Sequence, residues 1–470
     1  MSKISAMMDV GKRSLMNSQT ALQTVGHNIA NKSTEGFSRQ RVELMTNEPS
    51  GEGNLRIGMG ARAGVVTRVN NPWLEKQIQR ESTNMGYADS RADALSRVEQ
   101  VYNEQTNKGL NQYMTGFFNS FRELSNNPES LASRTMVREA GESMTKEFGR
   151  VVTQLKDVQD DIDGQLLTVT QEVNQMAKEI AQLNEKIQVV EVQGMPANDE
   201  RDRRDLLLKK MGDKIDISWA EGTDGHVSVT AGKTAILVSG TTANELKAAR
   251  TDDRDRVEIF FQSTANGTPV NITNQIRGGR MGGALEVRDE VIEQFLGSID
   301  NMAYQMATEV NKAHVEGFDR YGKAGVLFFE QPENVKGAAE TLSMNRTIFN
   351  DVGRIAAGAE ANAPGDNTVA NIISNLQNRQ MMDNGSATFD DYYNTQVGQI
   401  GTVTQRAMRS QESQKNVLSQ LQNIRESISG VSLDEETTKM IEFQKAYEAS
   451  ARVIKTADEM FDTVLNLKRL

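Results

Sequence analysis

A seven-residue repeat of apolar side chains in the middle of the chain is the feature that most restricts its fold. One series consists of Leu155, Ile162, Val169, Met176, Leu183 and Val190, and a second of Leu166, Val173, Ile180 and Ile187. This spacing places one continuous apolar seam along a helix. We therefore predict a helix over residues 145–193, roughly 70 Å long at about 1.5 Å per residue, that ends at Gly194-Met195-Pro196.

The hydrophobic period changes from helical to alternating after the charged segment NDERDRRDLLLKK. Ile215, Ile217 and Trp219 alternate with polar neighbours, and the strand-like runs HVSVT, AILVS and RVEIFFQ follow. Glycine-containing turns separate these runs, as in antiparallel hairpins. We predict a small antiparallel β-domain over residues 213–276, after which helical spacing resumes at Gly283.

Both ends of the chain also carry apolar stripes with helical spacing. The N-terminal stripe consists of Met8, Leu15, Leu22 and Ile29 with Val25, and the C-terminal stripe of Met440, Tyr447, Ile454 and Phe461 with Phe443, Ala457 and Val464. The sequence Ser432-Leu433-Asp434-Glu435 is a capping box, so the C-terminal helix should begin there. Because the two stripes match, we predict that the two terminal helices pair with each other.

Length and composition indicate several small domains. A chain of 470 residues exceeds one ordinary core, and only 37% of its residues are apolar. We predict an elongated, mainly α fold with an inserted β-domain. Its parts are a terminal coiled-coil inner domain (1–45 with 430–470), a mainly helical long-helix bundle domain (46–212 with 277–429) and the β-domain (213–276).

Composition argues against several classes of function. The net charge of −11 comes without a basic face for phosphates, so we expect no nucleic-acid partner. No apolar run approaches the roughly 20 residues of a membrane span, so we expect no membrane insertion. The chain has no cysteine, which excludes disulfides and thiolate chemistry. The first residues, MSKISAMMDVGKRSLMNS, lack the apolar core of a cleaved secretory signal.

Apparent catalytic motifs fail on inspection. AGKTA lacks the glycine that a phosphate-binding loop requires, since Val227 stands in its place. His27, His226 and His314 are scattered singly, without a second ligand at metal-binding spacing. We predict no catalytic residue, no cofactor and no metal, and therefore no enzyme.

The polar segment that stops the N-terminal stripe carries a family resemblance. ALQTVGHNIANKSTEGFSRQRVEL resembles the N-terminal motif of the bacterial flagellar axial proteins of the rod, hook and hook-associated group. SGVSLDEETTKMIEFQKAYEASARVIKTADEMFDTVLNL resembles the matching C-terminal end of that group. NDERDRRDLLLKKMGDKIDIS and the segment that begins GGRMGGALEVRDE are most similar to its hook-associated members. One departure is Thr34-Glu35-Gly36-Phe37, where the family commonly has Thr-Pro-Gly-Tyr, so the corner lacks the rigidity of a proline.

The resemblance implies a structural role at the junction between hook and filament. It implies an inner coiled-coil domain around the axial channel, in which Met8, Leu15, Leu22 and Ile29 pack against Met440, Tyr447, Ile454 and Phe461. Asn28, Asn31, Gly36 and Phe37 would form the corner to the next domain, with His27 as a hydrogen-bonding corner residue. The implied partners are further copies in a ring, the hook protein, the next hook-associated protein, an export chaperone at the C-terminal helix and the type III export apparatus. The implied location is the flagellum, after synthesis in the cytoplasm.

Two alternatives and one physical expectation accompany this interpretation. The alternatives are another axial protein (hook, rod or flagellin-like subunit) and a non-flagellar coiled-coil scaffold. Isolated amphipathic ends lose backbone entropy on ordering and bury little apolar surface. We therefore expect the terminal domain to be disordered in the free monomer and to order on assembly.

Overall fold

The computed structural model of the chain describes residues 2–52, 55–102, 109–251, 255–263 and 267–467. The helices are α1 Ser2–Ala30, α2 Pro72–Val101, α3 Leu110–Asn126, α4 Leu131–Val192, α5 Asn198–Lys214, α6 Gly279–Glu286, α7 Ile292–Val315, α8 Ala338–Thr341, α9 Arg346–Asn350, α10 Thr368–Asn375, α11 Phe389–Ser429 and α12 Leu433–Leu467. The strands are β1 Gln40–Thr46, β2 Ser50–Glu52, β3 Leu55–Ile57, β4 Ala61–Arg68, β5 Ile217–Glu221, β6 Val227–Ala231, β7 Ala235–Ser239, β8 Thr242–Ala243, β9 Glu245–Thr251, β10 Arg256–Gln262 and β11 Val270–Asn271. The mainly helical architecture with small antiparallel sheets confirms the predicted fold class.

The central helix α4 is longer than the prediction. It spans 62 residues, or roughly 93 Å at about 1.5 Å per residue, and begins at Leu131 instead of near residue 145. Ser130 caps it, since the Ser130 hydroxyl accepts a hydrogen bond from the Ser133 N–H at 3.2 Å. Gly141 interrupts the seven-residue series upstream, because an added Cβ would lie 3.2 Å from the Phe328 ring. That interruption hid the first turns of the helix from the sequence pattern.

The seam of α4 is buried as predicted. Leu155, Ile162, Leu183 and all four members of the second series are buried, and Val169, Met176 and Val190 are half-buried. Phenylalanines of α3, α11 and the chain after α7 close the far end of this core: Phe117, Phe118, Phe121, Phe328, Phe329 and Phe389. One continuous apolar core therefore extends along the long helix.

The predicted strand runs form strands, and they pack on α4. β5 to β8 make one antiparallel sheet, and β9, β10 and β11 make another. The Asn184 and Asn174 side chains of α4 each bond to a strand residue's backbone, at Val227 and Leu246 respectively. The sequence pattern missed β9, because ELKAART places only Leu246 in the core. The strands share the buried core of α4, and a separate β-domain over residues 213–276 stays a prediction.

Two buried polar groups fix the remaining segments. Between α6 and α7 the chain makes a π-helical turn, Val287–Val291, that carries Arg288 into a buried ion pair with Asp163 of α4 at 2.5 Å.

The segment after α7 is held in place by His314, whose ring bonds to the Val326 carbonyl at 2.5 Å and accepts the Ala356 N–H at 2.8 Å. Burial lowers the pKa of His314 to about 4, so the ring is neutral at pH 7. His314 therefore has a structural role.

Candidate functional site

The two ends of the chain pair along their helices. α1 and α12 are antiparallel: Asn28 bonds to Glu436 at 2.9 Å, the Ser14 and Ser450 hydroxyls lie 2.7 Å apart, and Gly11 contacts Ile454 at the far end. α12 begins directly after Ser432, where the capping box predicted it. The predicted pairing of the terminal helices is confirmed.

Small residues line the contact between these two helices. A Cβ added at Gly11 would lie 2.8 Å from Ile454 Cγ1, so a larger residue there would displace the Ile454 side chain. The buried positions are Gly11, Ser18, Ala21, Thr24, Val25, Asn28, Glu436, Ser450 and Ala457. The predicted stripes consist mainly of large apolar side chains, so they do not include most of these positions. The available signal was a second seven-residue spacing of small side chains, Gly11-Ser18-Val25 and Ser14-Ala21-Asn28.

The large apolar residues of the predicted interface lie mostly beside this contact. Val25 is buried, and Met8, Leu15, Leu22, Ile29, Met440, Phe443, Ile454 and Phe461 are half-buried. Tyr447 and Val464 are 38% and 40% exposed. Further apolar side chains of the pair are exposed at Met16, Ile441, Met460 and Leu465. The terminal pair therefore presents apolar surface outward, and the pairing of individual large residues stays a prediction.

The corner at the end of α1 is a compact hydrogen-bonded turn. The Asn31 side-chain amide donates to the His27 carbonyl at 3.1 Å, and its oxygen accepts from the Thr34 hydroxyl at 3.1 Å. The Phe37 ring packs edge-on against His27, with 5.5 Å between ring centroids. Gly36 has φ +85°, a conformation that favours glycine, and lies against Leu206 of α5.

Asn28 connects three elements at this corner. It is 1% exposed, and its side chain donates to the Gln40 carbonyl and accepts the Gln40 N–H, both at 2.9 Å. The same amide nitrogen donates to the Glu436 carboxylate. The Asn28 side chain thus links the end of α1 to the start of β1 and the start of α12. Its polar atoms are hydrogen-bonded, as is usual for buried polar groups.

Charged side chains fasten the corner to the rest of the chain. The Arg425 guanidinium of α11 donates to the Gly36 and Phe37 carbonyls at 2.9 and 3.2 Å and to Glu75 of α2 at 2.9 Å. Burial alone would raise the pKa of Glu75, but Lys209 and Arg425 outweigh it and hold that pKa below its usual value. The carboxylate therefore stays ionised between two cations.

A second carboxylate binds the chain just after the corner. Asp202 of α5 accepts the Ser38 N–H at 2.7 Å and pairs with Arg68 at 2.9 Å. Burial raises the pKa of Asp202 despite these partners. We call Asn28, Gln40, Asp202, Arg425 and Glu436 the joint. Except for Asn28 the sequence analysis missed these residues, because they come from distant parts of the chain and share no spacing.

This arrangement can hold and orient helices. Within the described ranges, no three His, Asp or Glu side chains are grouped so that they could bind a metal ion. Among the described helices, none is both long and apolar enough to cross a bilayer. The features that remain are the outward apolar surface of the terminal pair and the polar joint at its base.

Comparisons with known proteins agree with this geometry. Residues 95–329 match the family model described as the flagellar hook-associated protein FlgK helical domain, and residues 425–467 match the C-terminal model of flagellar basal body rod FlgEFG proteins. Flagellar hook-associated protein 1 of Bacillus subtilis is 29% identical over 98% of this chain and 97% of its own length. The Escherichia coli protein of that name is 25% identical over 99% of this chain and 100% of its own.

A solved structure shares the fold. The flagellar hook junction protein FlgK from Burkholderia pseudomallei superposes with a TM-score of 0.68 at 14% identity. The match covers 75% of this chain and all of that chain.

Proposed function

Because the chain belongs to the flagellar hook-associated protein FlgK family, we propose that it is a structural subunit of the junction between flagellar hook and filament. The observation that carries the proposal is the structure of the terminal pair. Small residues lie at the contact between its two helices, and apolar side chains are exposed on its outer surface. Where exposed apolar side chains form a contiguous patch, another subunit commonly covers it. The role is one of assembly and not of catalysis.

The proposed partners follow from this surface and from the family. Further copies form a ring at the junction, the hook protein lies on one side and the next hook-associated protein on the other. Before assembly an export chaperone holds α12, and the type III apparatus exports the chain from the cytoplasm to the growing flagellum. Side chains that support a covered surface on α12 are Ile441, Tyr447, Met460, Val464 and Leu465, each more than a third exposed.

The terminal pair orders when neighbouring subunits cover it. α1 and α12 bury mainly small side chains against each other, which contributes little apolar burial to offset the entropy of ordering two long helices. Amide NMR of the purified monomer tests this proposal. We expect sharp, poorly dispersed signals from residues in α1 and α12 and dispersed signals from α2 to α11, and rigid terminal helices would contradict it.

A deletion strain tests the function itself. Cells without this protein should build complete hooks that carry no filament, and sheared flagella of normal cells should contain it. Electron microscopy of hook-basal bodies and immunolabelling of sheared flagella provide the two measurements. Missing hooks would favour a hook or rod subunit, and a protein confined to the cytosol would favour a coiled-coil scaffold.

A further inference from the structure

The hairpin of β1 and β4 connects the terminal pair to the rest of the chain. Its strands are antiparallel, and their register shifts between Glu43 and Leu44, which leaves Gly64 as one extra residue in β4. This bulge divides the hairpin into an outer half (44–46 with 61–63) and a base half (40–43 with 65–68). Bulges of this kind bend a strand and interrupt its ladder.

The outer half is held by α1. The Asn17 side chain donates to the Ala61 carbonyl at 2.8 Å and accepts the Ala63 N–H at 2.7 Å. Arg13 of the same helix donates to the Met59 carbonyl at 3.4 Å. These bonds attach the outer half to the terminal pair.

The base half is held by α5. The Asn198 side chain donates to the Val66 carbonyl at 2.7 Å. Arg68 pairs with Asp202 at 2.9 Å and with Asp205 at 2.7 Å, and Gln40 donates to Asp199 at 2.6 Å. At Gln40 the base half also bonds to Asn28, in the last turn of α1. The middle of α1 therefore holds the outer half, whereas α5 and the end of α1 hold the base half.

Apolar packing does not join the two halves into one unit. No described apolar side chain of β1 or β4 is buried. A cavity of about 640 Å³, lined by Val25, Val42, Leu44 and Phe443 among others, lies between part of the hairpin and the two terminal helices. A two-stranded hairpin is marginally stable alone, so each half depends on the helix that binds it.

From this arrangement we infer that the hairpin is a hinged connection with its bend at Gly64. Its outer half orders and moves with the middle of α1, while its base half stays with α5 and the end of α1 pivots at the bonds between Asn28 and Gln40. The terminal pair can then change its tilt while the hairpin remains attached at both ends. Gly64 suits the hinge because it is the extra, unpaired residue of the bulge and, as a glycine, can adopt a wide range of backbone conformations. The hinge is argued from contacts within one chain, so it does not depend on the proposed location in the flagellum.

Amide hydrogen exchange on the full chain tests the inference with two matched variants, Asn17→Ala and Asn198→Ala. Where α1 is protected, Asn17→Ala should speed exchange of outer-half amides by at least about tenfold and leave base-half amides within about twofold. Asn198→Ala should do the reverse. Where α1 exchanges freely in the unmodified chain, the outer half and the Gln40 amide, which donates to Asn28 of α1, should exchange freely too, while the other base-half amides remain protected.

The contrary results are distinct from a failure of the proposed function. A protected outer half beside a freely exchanging α1 would overturn the inference. So would equal loss of protection across both halves in either variant, or no change in the outer half in Asn17→Ala with α1 protected. Protection of α1 itself tests only the ordering proposal, and hook phenotypes test only the junction role.

Discussion

Removal of residues 440–470 should abolish assembly while the rest of the chain stays folded. The continuous buried core extends from Ala92 to Ala407 and draws no residue from the deleted segment. The deletion removes Ser450, Ile454 and Ala457, which form the contact with α1, and the apolar surface from Ile441 to Leu465. Melting followed by circular dichroism should therefore change by only a few degrees, because a lost core would cost far more.

Assembly is measured separately from folding. A strain that carries only the truncated chain should form hooks without filaments, and purified truncated protein should not cosediment with isolated hooks or bind the export chaperone. The cosedimentation experiment bypasses export, so a defect in export alone is recognised. A matched control is Lys445→Ala with Lys455→Ala, which changes exposed charges of α12 and leaves its apolar surface intact. Normal filaments in a strain that carries only the truncated chain would contradict the proposed role of the terminal pair in assembly.

Replacement of Asn28 by alanine should loosen the joint more than any other single amide change in this corner. The substitution leaves the Gln40 N–H and carbonyl without these partners and removes the Asn28 amide from the buried Glu436 carboxylate. An unsatisfied buried polar group costs about 1–3 kcal/mol, so a total of about 3 kcal/mol or roughly a hundredfold in local opening is expected. Asn28→Asp should be worse, because it places a second carboxylate beside Glu436.

Asn31→Ala is the matched control for this prediction. Asn31 is partly exposed, and its side-chain bonds to described residues lie within its own turn, to His27 and Thr34, so water can replace much of what is lost. Swimming in soft agar is the readout in cells. Hydrogen exchange at the start of β1 and α12 is the readout in any preparation in which these segments are protected in the unmodified chain. Equal effects of Asn28→Ala and Asn31→Ala would show that the buried connection has no special role.

Much of the architecture was predictable, because it depends on local periodicity. The seam of α4, the strand runs in residues 213–276, the start of α12 at Ser432 and the pairing of the chain ends all follow from spacing and turn chemistry. The early start of α4 did not follow, since Gly141 breaks the series to make room for Phe328. β9 did not follow either, because its side chains are mostly exposed.

The proposed assembly site shows the same limit. The sequence alone determined that amphipathic helices lie at both ends and that a polar corner ends the first of them, because both properties depend on residues close together in the sequence. Only the tertiary structure decided which faces of those helices meet, since Gly11, Ser14 and Ser450 bring the backbones close and leave larger residues outside. It also decided the joint, where Arg425, Asp202 and Glu436 reach the corner from distant segments. Hydrogen bonds and ion pairs between distant segments depend on atomic positions that periodicity does not encode.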